Sequence, residues 1–181
     1  MQLHKGEVLF RQGETGPLYR IKKGLLKIVR IHEDGSPILV NIIVSGETIP
    51  HHSLISPNPY HGTSVALTEC EIETIPSHVW YSALEREPER CREIALLLQD
   101  KLRMMQQRID QLTQVAPAAK LRKLQEWFAT YIAPATLTEV LTQDEIGQLI
   151  GVRRETVNRL LRVQSAAKAE PATAEDFPSS G

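Results

Sequence analysis

Near residue 84 the hydrophobic pattern of this chain changes period, so neither an all-strand nor an all-helix fold accommodates both halves. From Glu7 to Pro76, β-branched and aliphatic residues fall in short runs: Val8–Phe10, Leu18–Ile21, Leu25–Ile31, Ile38–Val44 and Glu71–Ile75. Gly13, Gly16-Pro17, Lys23-Gly24, Asp34-Gly35, Gly46 and Pro57-Asn58-Pro59 separate them. Short strands at nearly even spacing predict a sandwich, jelly roll or small barrel. Asp34-Gly35 between two such runs predicts a tight hairpin.

Beyond Leu84 the pattern is helical. Glu89 to Gln114 contains neither Gly nor Pro, and Leu98, Leu102, Met105, Ile109 and Leu112 recur at steps of four, three, four and three. Ala95 and Cys91 carry this seam backwards. A heptad seam of about three repeats needs a partner to bury it, which predicts a self-paired parallel helix dimer over residues 85–115. Ile94, Leu97 and Met104 form a second stripe, expected to rest on the strand region. A further helical zone follows Pro117, from Ala118 to Ile132, and Pro134 closes it. Residues 163–181 hold five Ala, two Pro and three Ser, with Val163 and Phe177 as the large hydrophobes, which predicts a disordered tail.

Composition narrows the function classes. The 181 residues carry 21 basic against 22 acidic side chains, so bulk positive charge does not drive nucleic-acid binding. No apolar run approaches the roughly 18 residues of a membrane span, and no signal-peptide core follows Met1. Cys70 and Cys91 are too few for a disulfide scaffold or a four-cysteine metal site. The expectation is a cytoplasmic protein with no membrane partner.

Residues 142–162, TQDEIGQLIGVRRETVNRLLR, carry the most specific signal. Thr142 and Glu145 form a capping box that starts a helix. Ile146, Leu149 and Ile150 give it an apolar face, and Gly147 is small where a second helix would cross. Gly151 suits the positive φ of a helix end, and Val152 plugs the turn. Val157, Leu160 and Leu161 form the inner face of the next helix, leaving Arg154, Glu155, Asn158 and Arg159 outside. Arg can grip guanine, Glu can accept from cytosine and Asn can pair with adenine, so these four are candidate base contacts. Thr142, Arg153 and Thr156 are candidate phosphate contacts, which position without specifying. Residues 120–162 carry seven basic and five acidic groups, so the local charge agrees with DNA as the ligand.

This segment is similar to the helix–turn–helix of the cyclic-AMP receptor protein/fumarate–nitrate reductase regulator superfamily. Arg154-Glu155-Thr156-Val157 and Arg159 match its recognition helix. Lys5 to Glu14, Leu18-Tyr19 and Ile21 to Ile28 resemble the opening of its cyclic-nucleotide-binding-like jelly roll. Gly46-Glu47 and Ala66 to Glu71 follow in the family's order. The resemblance implies an α+β architecture: a jelly-roll sensor over 1–84, a dimerisation helix over 85–115, a DNA-binding domain over 116–162 and the tail 163–181. It implies a homodimeric, non-enzymatic transcription regulator, an activator by expectation. Its partners would be double-stranded DNA with a two-fold operator and RNA polymerase.

Three departures qualify the resemblance. Cyclic-AMP binders of the family place an Arg-Ser pair in the phosphate loop, whereas this loop reads Tyr60-His61-Gly62-Thr63-Ser64-Val65, and Ser45 to Ile75 contains no Arg or Lys. A cyclic phosphate would meet no permanent cation there, which predicts no cyclic-AMP dependence and no assigned cofactor. His51-His52 and His61 lie in the same stretch, but neighbouring residues of a strand point to opposite faces and the pair is not the H-x-H of cupins, so no metal site is assigned. Val163 onward offers no β-hairpin wing, and Arg153 stands where the family commonly has a Ser N-cap, worth about 1 kcal/mol. Without a wing, Leu121, Leu124, Trp127, Phe128, Leu160 and Leu161 are expected to lack cover. The alternative readings are therefore a truncated, wingless dimerisation module that pairs with intact relatives, and a cupin-like metal-binding protein.

Overall fold

The computed structural model describes residues 1–169. Eight strands form a sandwich: β1 Gln2–Leu3, β2 Val8–Phe10, β3 Leu18–Lys23, β4 Leu26–Ile31, β5 Pro37–Ile43, β6 Thr48–Ile49, β7 Thr63–Ala66 and β8 Cys70–Ile75. One sheet has the order β1-β8-β3-β6 and the other β2-β7-β4-β5, all pairs antiparallel, which is the jelly-roll arrangement. Alternation drives the inward set: along β8, Cys70 and Ile72 are buried while Glu71 and Glu73 face out. Phe10, Tyr19, Ile21, Leu26, Ile43 and Ile49 fill the space between the sheets. The predicted hairpin joins β4 to β5; Asp34 Oδ1 accepts from the Ser36 backbone at 2.9 Å, and Gly35 takes φ +80°.

Six α-helices follow among the described residues: α1 Ser77–Arg86, α2 Pro88–Thr113, α3 Pro117–Tyr131, α4 Leu137–Val140, α5 Gln143–Ile150 and α6 Arg154–Ala169. The expected change at residue 84 resolves into two helices rather than one. The chain leaves helical geometry at Glu87, the residue before Pro88, where a following proline disfavours the α conformation. α1 buries Trp80 and Leu84 against Leu18, Leu54 and Ile94, and the Trp80 indole donates to the Leu54 carbonyl at 2.9 Å. The second stripe of α2 thus rests on the sandwich as its spacing predicted: Ile94 is buried and Leu97 packs beside it.

Two expectations fail here. The tail predicted to be disordered from residue 163 begins as the last turns of α6, which runs on to Ala169; the remaining tail lies outside the described residues. Ala166, Ala167 and Ala169 favour helix, and a reciprocal amide pair between Gln164 and Gln125 (2.9 and 3.2 Å) ties this part of α6 to α3. Of the helical residues expected to lack cover, Leu121, Leu124 and Phe128 are buried, at 0–2 % exposed, while Trp127, Leu160 and Leu161 are half-buried beside them. Their cover comes from the sandwich, since Leu39, Ile42 and Leu67 join them and Ile146, Leu149, Ile150 and Val157 in one core cluster. No helix among the described residues is long and apolar enough to cross a membrane.

A shared core makes the two halves of the chain melt together. Ile42→Ala, which removes a side chain 1 % exposed, is expected to cost about 2–5 kcal/mol. Calorimetry should show one transition displaced as a unit; a separate, unmoved transition of the helices would mean that the core is not shared.

Candidate nucleic-acid interface

The α5–α6 pair is built as its sequence requires. Thr142 Oγ1 accepts from the Glu145 backbone at 3.2 Å, and Glu145 Oε2 accepts from the Thr142 backbone at 2.8 Å, closing the capping box. Gly151 adopts φ +65° and ends α5. At Gly147 a β-carbon would fall 2.6 Å from the Val152 carbonyl oxygen, so no larger residue fits beneath the turn. Val152 packs half-buried into the joint core, and Val157 is fully buried.

The pair is positioned on the sandwich by a set of polar contacts that sequence reasoning missed. β5 is an outer strand of its sheet. Gln148 of α5 accepts from the Leu39 backbone N–H at 2.8 Å, and Arg108 of α2 donates to the Val40 carbonyl at 3.0 Å and the Leu149 carbonyl at 3.5 Å. Lys27 of β4 donates to Glu145 Oε1. Burial pushes the Glu145 carboxyl upward, but the bonds from Lys27 and Thr142 outweigh it and hold the group below its ordinary value. No local pattern announces any of these pairs; Lys27 and Glu145 are 118 residues apart.

The outer face of α6 carries Arg154, Glu155 and Arg159 exposed together, with Asn158 half-buried beside them. Arg153 is exposed ahead of the helix, and its carbonyl accepts from the half-buried Thr156 at 3.0 Å. Thr142 is exposed, but its hydroxyl also donates to Glu145 Oε2 at 2.9 Å, so it is already committed within the cap. The candidate seam divides. Cys91 and Leu98 pack within the chain beside Ile94. Ala95 is exposed, as are Leu102 (61 %), Met105 (47 %), Ile109 (58 %) and Leu112 (39 %).

The three histidines are differently placed from the strand geometry expected. His51 and His52 lie on a single 3-10 turn, His51–Ser53, so they need not face opposite ways, and both line one cavity with His61. The described residues contain no group of three or more His, Cys, Asp or Glu able to hold a metal. Nor is the stretch from Ser45 to Ile75 left without cations by its neighbours. Lys101 reaches it from α2 and bonds Glu47 Oε1 at 2.8 Å, while Arg30 of β4 lies against Gly62.

A sandwich joined through a long helix to a capped helix pair defines a class of protein, and comparisons agree with it. The cyclic nucleotide-binding domain family matches residues 1–87. A CRP-like cAMP-activated global transcriptional regulator of Mycobacterium tuberculosis is 31 % identical over 163 residues, covering 87 % of this chain and 73 % of that protein. The cAMP-activated global transcriptional regulator CRP of Escherichia coli is 23 % identical, covering 86 % and 77 %. Among solved structures, FixK2 of Bradyrhizobium japonicum superposes with TM-score 0.79 at 15 % identity over 96 % of this chain and 88 % of that one. The chain belongs to the CRP/FNR family of transcription regulators.

The cap gives a pH-dependent expectation. Because the Glu145 carboxyl sits below the ordinary 4.5, its contribution to stability is complete above that value and fades as pH falls through the lower folded value. In urea unfolding, Glu145→Gln should be less stable than the parent by a constant margin from neutral pH down to about 4.5, and the margin should close in more acid solution. A margin independent of pH would remove the ion pair and cap from the account.

Proposed function

We propose that the protein is a dimeric DNA-binding transcription regulator whose α6 reads a palindromic operator. The observation that carries this reading is the exposed Arg154, Glu155 and Arg159 face of α6, presented beyond a turn that Gly147 and Gly151 alone permit. Arg154, Glu155, Asn158 and Arg159 would contact base edges in the major groove, and Arg153, Thr156 and the N-terminus of α5 at Thr142 would meet phosphates. The sandwich with α1 serves as the sensor, α2 as the dimer helix and α3–α6 as the DNA-binding unit.

The exposed stripe of Leu102, Met105, Ile109 and Leu112 supports a homodimer through the C-terminal half of α2. Two copies would set their α6 helices about one helical turn of DNA apart. RNA polymerase is the expected further partner. Cyclic AMP is not the expected effector: Lys101 is engaged by Glu47, and the loop from Tyr60 to Val65 supplies no cation of its own.

Fluorescence anisotropy with DNA from upstream of the protein's own gene, at two salt concentrations and with unrelated DNA as competitor, tests this reading. Specific binding that weakens with salt is expected. Arg154→Ala and Arg159→Ala should each weaken it by about 1–3 kcal/mol. Unchanged affinity in both variants removes α6 as the reading helix. A folded dimer with no preference over competitor favours instead a dimerisation module without operator recognition.

A further inference from the structure

The first turn of α5 is acidic. It carries Asp144 and Glu145, and no lysine or arginine of α5 offsets them. Carboxylates at a helix N-terminus complement its dipole, but they oppose any anion that approaches the same end. Asp144 Oδ2 accepts from the neutral amide of Gln148 at 2.9 Å, which leaves its charge in place. Glu145 uses both oxygens. Oε2 accepts from the Thr142 N–H and hydroxyl at 2.8 and 2.9 Å, and Oε1 accepts from Lys27. Burial pushes this carboxyl up, but the bonds from Lys27 and Thr142 hold it below its ordinary value, so it is ionised at neutral pH.

The compensating charge does not come from the helices. Lys27 lies on β4, registered opposite Ile42 of β5 and Val65 of β7. Its side chain is 24 % exposed and that of Glu145 15 %, so solvent and salt screen the pair little. Among the described residues, Lys27 pairs with no other carboxylate and Glu145 with no other cation. Arg108, the other basic group at this joint, gives its guanidinium to the carbonyls of Val40 and Leu149 instead. The acid that shapes the Thr142 cap is thus neutralised by the sandwich alone.

We propose that Lys27 is a positioning residue for DNA binding: the sandwich supplies the positive charge that lets a phosphate approach the N-terminus of α5. Lys27 does not itself touch DNA. It acts through Glu145, which keeps the Thr142 cap in shape while its charge is cancelled. Without Lys27 an uncompensated carboxylate would stand beside the phosphate, and at an effective dielectric of about 20 one such charge changes affinity about tenfold. The helix pair is therefore electrically incomplete on its own. Drawing β4 away from α5 uncovers Glu145 and disfavours DNA, so one ion pair couples the sandwich to the operator. The inference rests on the regulator reading, in which Thr142 and the start of α5 meet a phosphate.

Fluorescence anisotropy of the full chain at neutral pH, on upstream and on unrelated DNA, tests this with charge variants. Lys27→Met should weaken binding to both DNAs about tenfold at low salt, and the deficit should narrow as salt rises. Lys27→Gln removes the same charge should the methionine variant fail to fold. Lys27→Arg keeps the charge and should bind like the parent. Lys27→Met/Glu145→Gln removes both charges but leaves an amide oxygen for the cap, and should recover most of the lost affinity. Unchanged binding in folded Lys27→Met overturns the proposal. So does a double variant as weak as Lys27→Met, because the pair would then be only a brace between the two halves. A parent with no preference for upstream DNA, weakened on both DNAs by Lys27→Met and restored by the double variant, defeats operator recognition and leaves the role of Lys27 standing. A folded parent that binds neither DNA overturns both.

Discussion

The outer edge of β5 is the place on which the rest of this structure depends. An edge strand presents unpaired backbone groups and, here, two large apolar side chains, Leu39 and Ile42. The chain covers that edge with its own C-terminal helices. Gln148 takes the Leu39 N–H, Arg108 takes the Val40 carbonyl, and Leu39 and Ile42 complete the core around Phe128. α3, α4 and α5 are short, and α5 spans only eight residues, so helical propensity alone would not hold them. Their order comes from burial against the sheet, and the sheet edge is closed by them in return.

Arg108 has a particular part in this arrangement. Burial lowers its pKa from the ordinary value, which is the cost of withdrawing a guanidinium from water, yet it stays a strong donor. Its two bonds reach carbonyls of β5 and α5 from a position on α2, so three elements distant in sequence meet on one side chain. The other face of the same helix carries the exposed Leu102, Met105, Ile109 and Leu112. α2 therefore rests one face of its N-terminal half, Cys91, Ile94, Leu97 and Leu98, on the chain's own interior, and its C-terminal half is split between the Arg108 face and an open one.

Local patterns were readable where one segment contains its own cause. The Asp34-Gly35 hairpin, the Thr142–Glu145 cap and the Gly151 helix end are all set by residues within a few positions, and each is present. α4 was missed although Thr136 and Glu139 form a second capping box, because four residues give no visible period. β1, β6 and β7 were missed for a similar reason: two to four residues with mixed polarity acquire strand geometry only from their neighbours. The cavity was beyond sequence reasoning because Ile28, His51, His61 and Lys101 come from a strand, a turn, a loop and a helix. Composition could show that the stretch from Ser45 to Ile75 lacks cations, but not that other elements would bring Lys101 and Arg30 beside it.

Gln148 illustrates how specifically the two halves of the chain are matched. Its amide oxygen caps a backbone group of β5, while its amide nitrogen donates to Asp144 at 2.9 Å on its own helix. The surface of α5 that meets the sandwich is thus shaped by the strand it touches, and the strand's exposed groups by the helix. The two parts are not interchangeable units on a common linker. A chimera joining this sandwich to the helices of another regulator would inherit an uncapped edge and an unfilled hollow where Phe128 and Ile146 now sit. Recombination between relatives would succeed only when β5, the middle of α2 and α5 move together, so these three segments form one unit of inheritance.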